Sequence, residues 1–168
     1  MNTRPRRALG LTLIELMIGL GIMAVLMSLA VPSYSAYLQR QRLKAAAQGL
    51  ELDLREARYE SARRNQPLSL VLHPGTDWCW AIATRPDCDC RSAQPCRLKT
   101  VRATDLRGVH LAESRSVRFD PTSGQADAAG PVALLLASGE ERVRVEVNAP
   151  GRPAVCVVEG SLAPFGRC

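Results

Sequence analysis

Residues 10–34, GLTLIELMIGLGIMAVLMSLAVPSY, decide how the rest of the chain is read. A glycine follows a basic tail, and the chain then runs apolar with one carboxylate, Glu15, near the start. From 16 to 31 there is no charge at all. At about 1.5 Å of rise per residue, positions 11–31 span roughly 30 Å, the thickness of a bilayer's hydrocarbon core. The stretch reads as a membrane-spanning helix, with the remainder as a soluble domain hung on it.

A cleaved secretory signal also starts basic and turns apolar. Its small-residue cleavage site follows the apolar run, however, whereas Gly10 precedes it. A plain membrane anchor accounts for the length and the basic flank but leaves Glu15 unexplained. A carboxylate in lipid costs at least ~2.5 kcal/mol at a helix centre and less near the interface, so it calls for a partner. Cutting after Gly10 supplies one, a cationic amine on Leu11, four residues before Glu15.

This constellation resembles the type IV prepilin signature. The match is a short basic leader at 1–10, Gly10 before the cut, apolar Leu11, then Thr12, Leu13, Ile14, Glu15 and Leu16. The resemblance implies that a membrane peptidase cuts after Gly10 on the cytoplasmic side. It further implies that the Leu11 amine is methylated and that Glu15 guides docking into a growing filament. Pro32 falls where many pilins carry a helix-loosening proline. Leu11 stands where phenylalanine is usual, a conservative departure.

The chain has 168 residues, 46% hydrophobic and 23% charged, ordinary values for a folded protein. Without leader and anchor about 130 residues remain, enough for one modest domain with its own core. Aromatics are only 4%, so that core rests on Leu, Val and Ala. The net charge of +6 is nearly all arginine on the positive side. Arg4, Arg6 and Arg7 belong to the leader, where positive charge holds an N-terminus in the cytoplasm. The mature domain stays mildly basic, a weak pointer to an anionic partner. All six cysteines lie beyond the spanning stretch, on the oxidising side in that orientation, and their even number reads as disulfides.

After Pro32, where a kink or local melting is expected, the helix is expected to continue to about Asn65. Leu43, Ala47, Leu50, Leu54, Ala57 and Ser61 recur at three and four and form one apolar stripe. Arg40, Arg42, Lys44, Asp53, Arg55, Glu56 and Arg63 are read as its flanks. Asn65, Gln66 and Pro67 end the helix. Short apolar runs at 68–72, 78–83, 116–119, 132–137, 142–147 and 154–158 read as strands, separated by turns such as 120–124 and 138–140. In 142–147 the alternation is strict, with valines on one face. A long helix followed by close-spaced strands implies an antiparallel α+β domain. The divisions are a leader at 1–10, a transmembrane, filament-core helix at 11–32, its amphipathic continuation at 33–66 and a β-rich periplasmic domain at 67–168.

The C-terminal half resembles the GspH/FimT group of minor pilins and pseudopilins. The features that carry this are Trp78 and Trp80 in an early strand, the turn after Phe119, the alternating strand, and Gly151-Arg152 before a last strand. The resemblance implies a pilin-like fold, an N-terminal helix packed on two small antiparallel sheets.

Zinc at Cys79, Cys88, Cys90 and Cys96 is disfavoured by the C-x-C spacing and by the lack of a histidine close in sequence. Two disulfides among these four, tying down the loop at 84–97, and a Cys156–Cys168 bridge pinning the tail are expected; six cysteines allow 15 pairings. No metal and no cofactor are expected. His73 and His110 neighbour nothing nucleophilic, and Ser161 does not sit in a G-x-S-x-G elbow. No phosphate loop or carboxylate pair stands out, so the chain does not read as an enzyme.

FimT-type members resemble DNA receptors with a basic C-terminal G-R-x-R stretch. Here Gly151-Arg152-Pro153-Ala154 lacks the second arginine, and Arg167 is a partial substitute if the tail folds back. Arg144, Arg152 and Arg167 are therefore candidate DNA-binding residues. The competing reading is a solvated strand face interleaved with Glu140, Glu141 and Glu146, and the mixed charge favours it.

The resulting expectation is a non-catalytic minor pilin or pseudopilin in the bacterial inner membrane. Its partners would be other pilins, the prepilin peptidase and the inner-membrane assembly platform. A type II secretion pseudopilus and a type IV pilus both fit. A DNA-binding pilus component and a simple anchored periplasmic domain are the alternatives.

Overall fold

The computed structural model describes residues 12–127, 129–137 and 141–168. It divides into two units that meet between Tyr37 and Leu38. One helix, α1 (Leu13–Arg64), contributes to both.

In the first unit α1 starts on Thr12, whose Oγ1 accepts the Glu15 amide at 3.3 Å while the Leu16 amide reaches its carbonyl at 3.1 Å. Thr12 is thus an N-cap with Glu15 in the first turn. From Leu13 to Val31 every large apolar side chain is 56–76% exposed, so this part of the helix has no dry face within its own chain. It is long and apolar enough to cross a membrane. The helix is uninterrupted through Pro32, so the local melting expected there does not occur.

The second unit is built on the rest of α1. Leu43, Ala46, Ala47, Leu50, Leu54 and Ala57 are fully buried, a stripe at three and four spacing. The helix closes in a Schellman motif, with Asn65 in the left-handed conformation at φ 51°. The Asn65 amide reaches the Ala62 carbonyl at 3.2 Å, and that of Gln66 reaches Ser61 at 3.1 Å. Pro67 then bars continuation.

Eight strands follow: β1 (Leu68–His73), β2 (Cys79–Ala83), β3 (Arg97–Arg102), β4 (Val109–Ser114), β5 (Val117–Phe119), β6 (Gly130–Ala137), β7 (Arg142–Val147) and β8 (Pro153–Glu159). They make two antiparallel four-stranded sheets, in the orders β3-β2-β1-β5 and β4-β6-β7-β8. One core joins the α1 stripe to Leu70, Trp80 and Phe119 of the first sheet and to Leu111, Leu135 and Val145 of the second.

β1 and β2 read as continuous apolar runs because both their faces are covered. Val71, Cys79, Ala81 and Ala83 face away from the main core and are roofed by Cys88, Cys90 and Cys96. Two strands were not legible in the sequence. β3, RLKTVR, is an edge strand whose side chains are half-buried or exposed, so its charges disguise it. β4 is the opposite sheet's edge, and a register shift between Leu111 and Glu113 interrupts its alternation. Trp78 lies just before β2 rather than in it; it stacks on Trp80 at 5.2 Å between ring centroids and donates to the Val109 carbonyl at 2.9 Å.

Candidate functional site

Gly10 and Leu11, with the basic leader, lie outside the described residues, as does the turn at 138–140. Of the assembly signature the structure places Glu15 in the first turn of α1, exposed among exposed apolar neighbours. The positive end of the helix dipole favours a carboxylate there, a contribution the bare sequence did not bring out.

The cysteines pair as Cys79–Cys90, Cys88–Cys96 and Cys156–Cys168. The first two knit the loop between β2 and β3 over the outer face of the first sheet. The third folds the tail back, so that the Cys168 amide reaches the Val157 carbonyl at 3.1 Å and the Val157 amide reaches Gly166 at 2.8 Å. His73, remote from the cysteine loop in sequence, is beside it in space, its Nε2 3.9 Å from Asp89 Oδ1. With Cys90 these groups lie close enough to surround an ion, but the Cys90 sulfur is committed to Cys79 and offers no thiolate.

The three candidate arginines do not form one site. Arg144 sits opposite Cys156 in the β7–β8 register and borders a small cleft with Glu113 and Pro131. Arg167 bridges to Val157 on the outer side of β8. Arg152 lies in the β7–β8 turn and lines a different cleft, of about 560 Å³, with Arg55, Arg58 and Tyr59 of α1.

That cleft is built by a close approach of two turns. Gly151 has φ +77°, and a Cβ on it would fall 2.3 Å from the Gly124 carbonyl oxygen, so only glycine fits. The same carbonyl accepts Arg58 Nε at 2.8 Å. The opposing turn is held by Asp120, whose Oδ1 accepts the amides of Thr122 at 3.0 Å and Ser123 at 2.7 Å. These bonds, that from Ser123 first, keep its carboxyl below the usual range. Asn148 Oδ1 closes the other turn by accepting the Arg152 amide at 2.7 Å.

Asp53, read from the sequence as a flank of the stripe, is buried. Its carboxylate accepts Trp80 Nε1 at 2.7 Å and pairs with Lys99 Nζ at 2.7 Å, which also meets Glu56 at 2.7 Å. Hydrogen bonds to Asp53 and then Glu56 raise the Lys99 pKa. The spacing of Asp53, three residues after Leu50 and four before Ala57, is the signal that could have shown a carboxylate in the stripe in need of a partner. Nothing in the sequence marked Trp80 or Lys99 as that partner.

A long apolar N-terminal helix, a folded domain and a prepilin-type start define the pilin-like class, and the comparisons agree. The prokaryotic N-terminal methylation motif matches residues 5–31. The family "Type II transport protein GspH" matches residues 46–151, and the chain belongs to that family. No curated protein and no solved structure matches it.

Proposed function

We propose that the chain is a non-catalytic pseudopilin, cut after Gly10 by prepilin peptidase, methylated on Leu11 and assembled through α1 into a type II secretion pseudopilus. Before assembly it waits in the inner membrane with its N-terminus cytoplasmic and its β domain periplasmic. The observation that carries this is the exposed stretch from Leu13 to Val31, apolar all round with one carboxylate in its first turn. Such a surface suits lipid first and neighbouring helices of the same kind afterwards. Glu15 neutralises the Leu11 amine of a neighbouring subunit, which makes docking selective for register. The match to the type II transport family supports a secretion filament over a pilus.

Intact mass of the protein from its own membrane tests the processing. A chain starting at methylated Leu11 is expected; one starting at Met1 would leave only an anchored domain. In Glu15→Val, membrane insertion is expected to persist while incorporation into filaments fails, measured by fractionation of sheared filaments against membranes. Normal incorporation of that variant would remove the docking role.

A further inference from the structure

The cleft between α1 and the two glycine turns carries three arginines, and among the described residues no acidic one lines it. Arg55 is held by Glu51, four residues away on the same helix. Arg58 spends its Nε on the Gly124 carbonyl. Among the described residues the Arg152 guanidinium has no ion-pair partner, although its backbone is fixed by Asn148. The walls between these cations mix apolar Ala62, Pro121 and Pro153 with the polar turn Thr122, Ser123 and Gly124. Tyr59 stands 66% exposed at the rim, and Leu52, two helical turns before it on the same face, is 62% exposed. These two are the most exposed large hydrophobic side chains of the second unit among the described residues. A cation with no ion-pair partner beside two exposed apolar side chains, with Arg55 and Glu56 on the turn between them, is the pattern of a protein-binding surface, with Tyr and Arg as its anchors.

We propose that this cleft binds an acidic, leucine-type segment of another protein subunit, with carboxylates on Arg152 and Arg58 and apolar side chains against Tyr59 and Leu52. Guanidinium groups meet carboxylates through paired, directed hydrogen bonds, which gives the segment a register. A nucleic-acid backbone suits the cleft less well. Duplex phosphates need a row of cations along an open face, whereas Arg144 and Arg167 lie in other places on the domain. The proposal rests on the pseudopilin reading only for who carries the segment. An uncut chain would remove that reading and leave peptide binding standing; a failure of peptide binding would leave the processing result untouched.

The test is fluorescence anisotropy with the full chain in detergent micelles and a labelled Leu-Glu-Leu-Glu-Leu peptide. Saturable binding is expected, weakened by about tenfold or more for Leu-Gln-Leu-Gln-Leu and in the variants Arg152→Glu and Tyr59→Ala, with Arg152→Lys retaining part of it. Both positions are exposed, so the circular-dichroism melt should not move. Equal affinity for the glutamine peptide, or binding indifferent to both variants, overturns the proposal. So does a DNA duplex that binds more tightly than the peptide and is lost in Arg152→Glu.

Discussion

Between Leu13 and Val31 of α1 every large apolar side chain faces outward, while between Leu43 and Ser61 the apolar side chains at three and four spacing are sealed against two sheets. The two stretches belong to one helix and share good helix formers, so helix propensity does not separate them. The difference lies in the charges. From 43 to 61 they fall on the sides away from the stripe, with Asp53 as the exception, and leave a face that one folded domain can cover. From 16 to 31 there are none, and no single face is marked for burial. The first stretch is stable only with lipid or other helices around it; the second brings its partners along in the same chain.

Substitutions in the two stretches should therefore read out differently. Trp80→Ala, which empties the core against the α1 stripe, should destabilise the domain by about 3–5 kcal/mol, measured by denaturant unfolding in detergent. Leu26→Ala in the exposed stretch should leave that unfolding curve in place while altering assembly. A comparable loss from both would erase the distinction.

Replacing Cys156 and Cys168 together by serine frees the tail from β8 and should cost about 2–4 kcal/mol on the chain-entropy argument for a short loop. A thermal melt with and without reductant checks this. Asp53→Ala leaves Trp80 Nε1 and Lys99 without their buried acceptor and should cost about 1–3 kcal/mol, whereas Asp53→Asn should recover the Trp80 bond and part of the loss. The smallest effect is expected at Glu60. Its carboxyl is lowered from 4.5 to about 2, first by a hydrogen bond from Arg63 and then by one from Arg64. A depressed carboxyl stabilises the fold above its unfolded value and loses that contribution as pH falls through the folded one. Glu60→Gln should thus melt slightly below wild type at neutral pH, and the two curves should converge between pH 4.5 and about 2. Curves that stayed apart at the acid end would assign the difference to something other than charge.

Much of the domain was legible before the structure. The stripe Leu43, Ala47, Leu50, Leu54, Ala57 and Ser61 is buried at every position, and Val143, Val145 and Val147 are the inward face of β7. Both are periodic, and periodicity is local information. β3 and β4 escaped because edge strands tolerate charge and bulges, which erase the period. The arginines escaped for another reason. Arg144, Arg152 and Arg167 were grouped by nearness in sequence, while the fold sends Arg152 to α1 and leaves Arg144 and Arg167 elsewhere on the second sheet.

The sequence by itself determined the long apolar helix, the burial stripe, the helix end at Asn65 and the turn at 120–124, because each depends on contacts within a few residues. Only the tertiary structure decided that Asp53 meets Trp80 and Lys99, that Gly151 must pass the Gly124 carbonyl without a side chain, and that Arg58 and Arg152 share a cleft. Those pairings join residues tens of positions apart, and sheet order and register, which bring them together, are set by how the whole core closes.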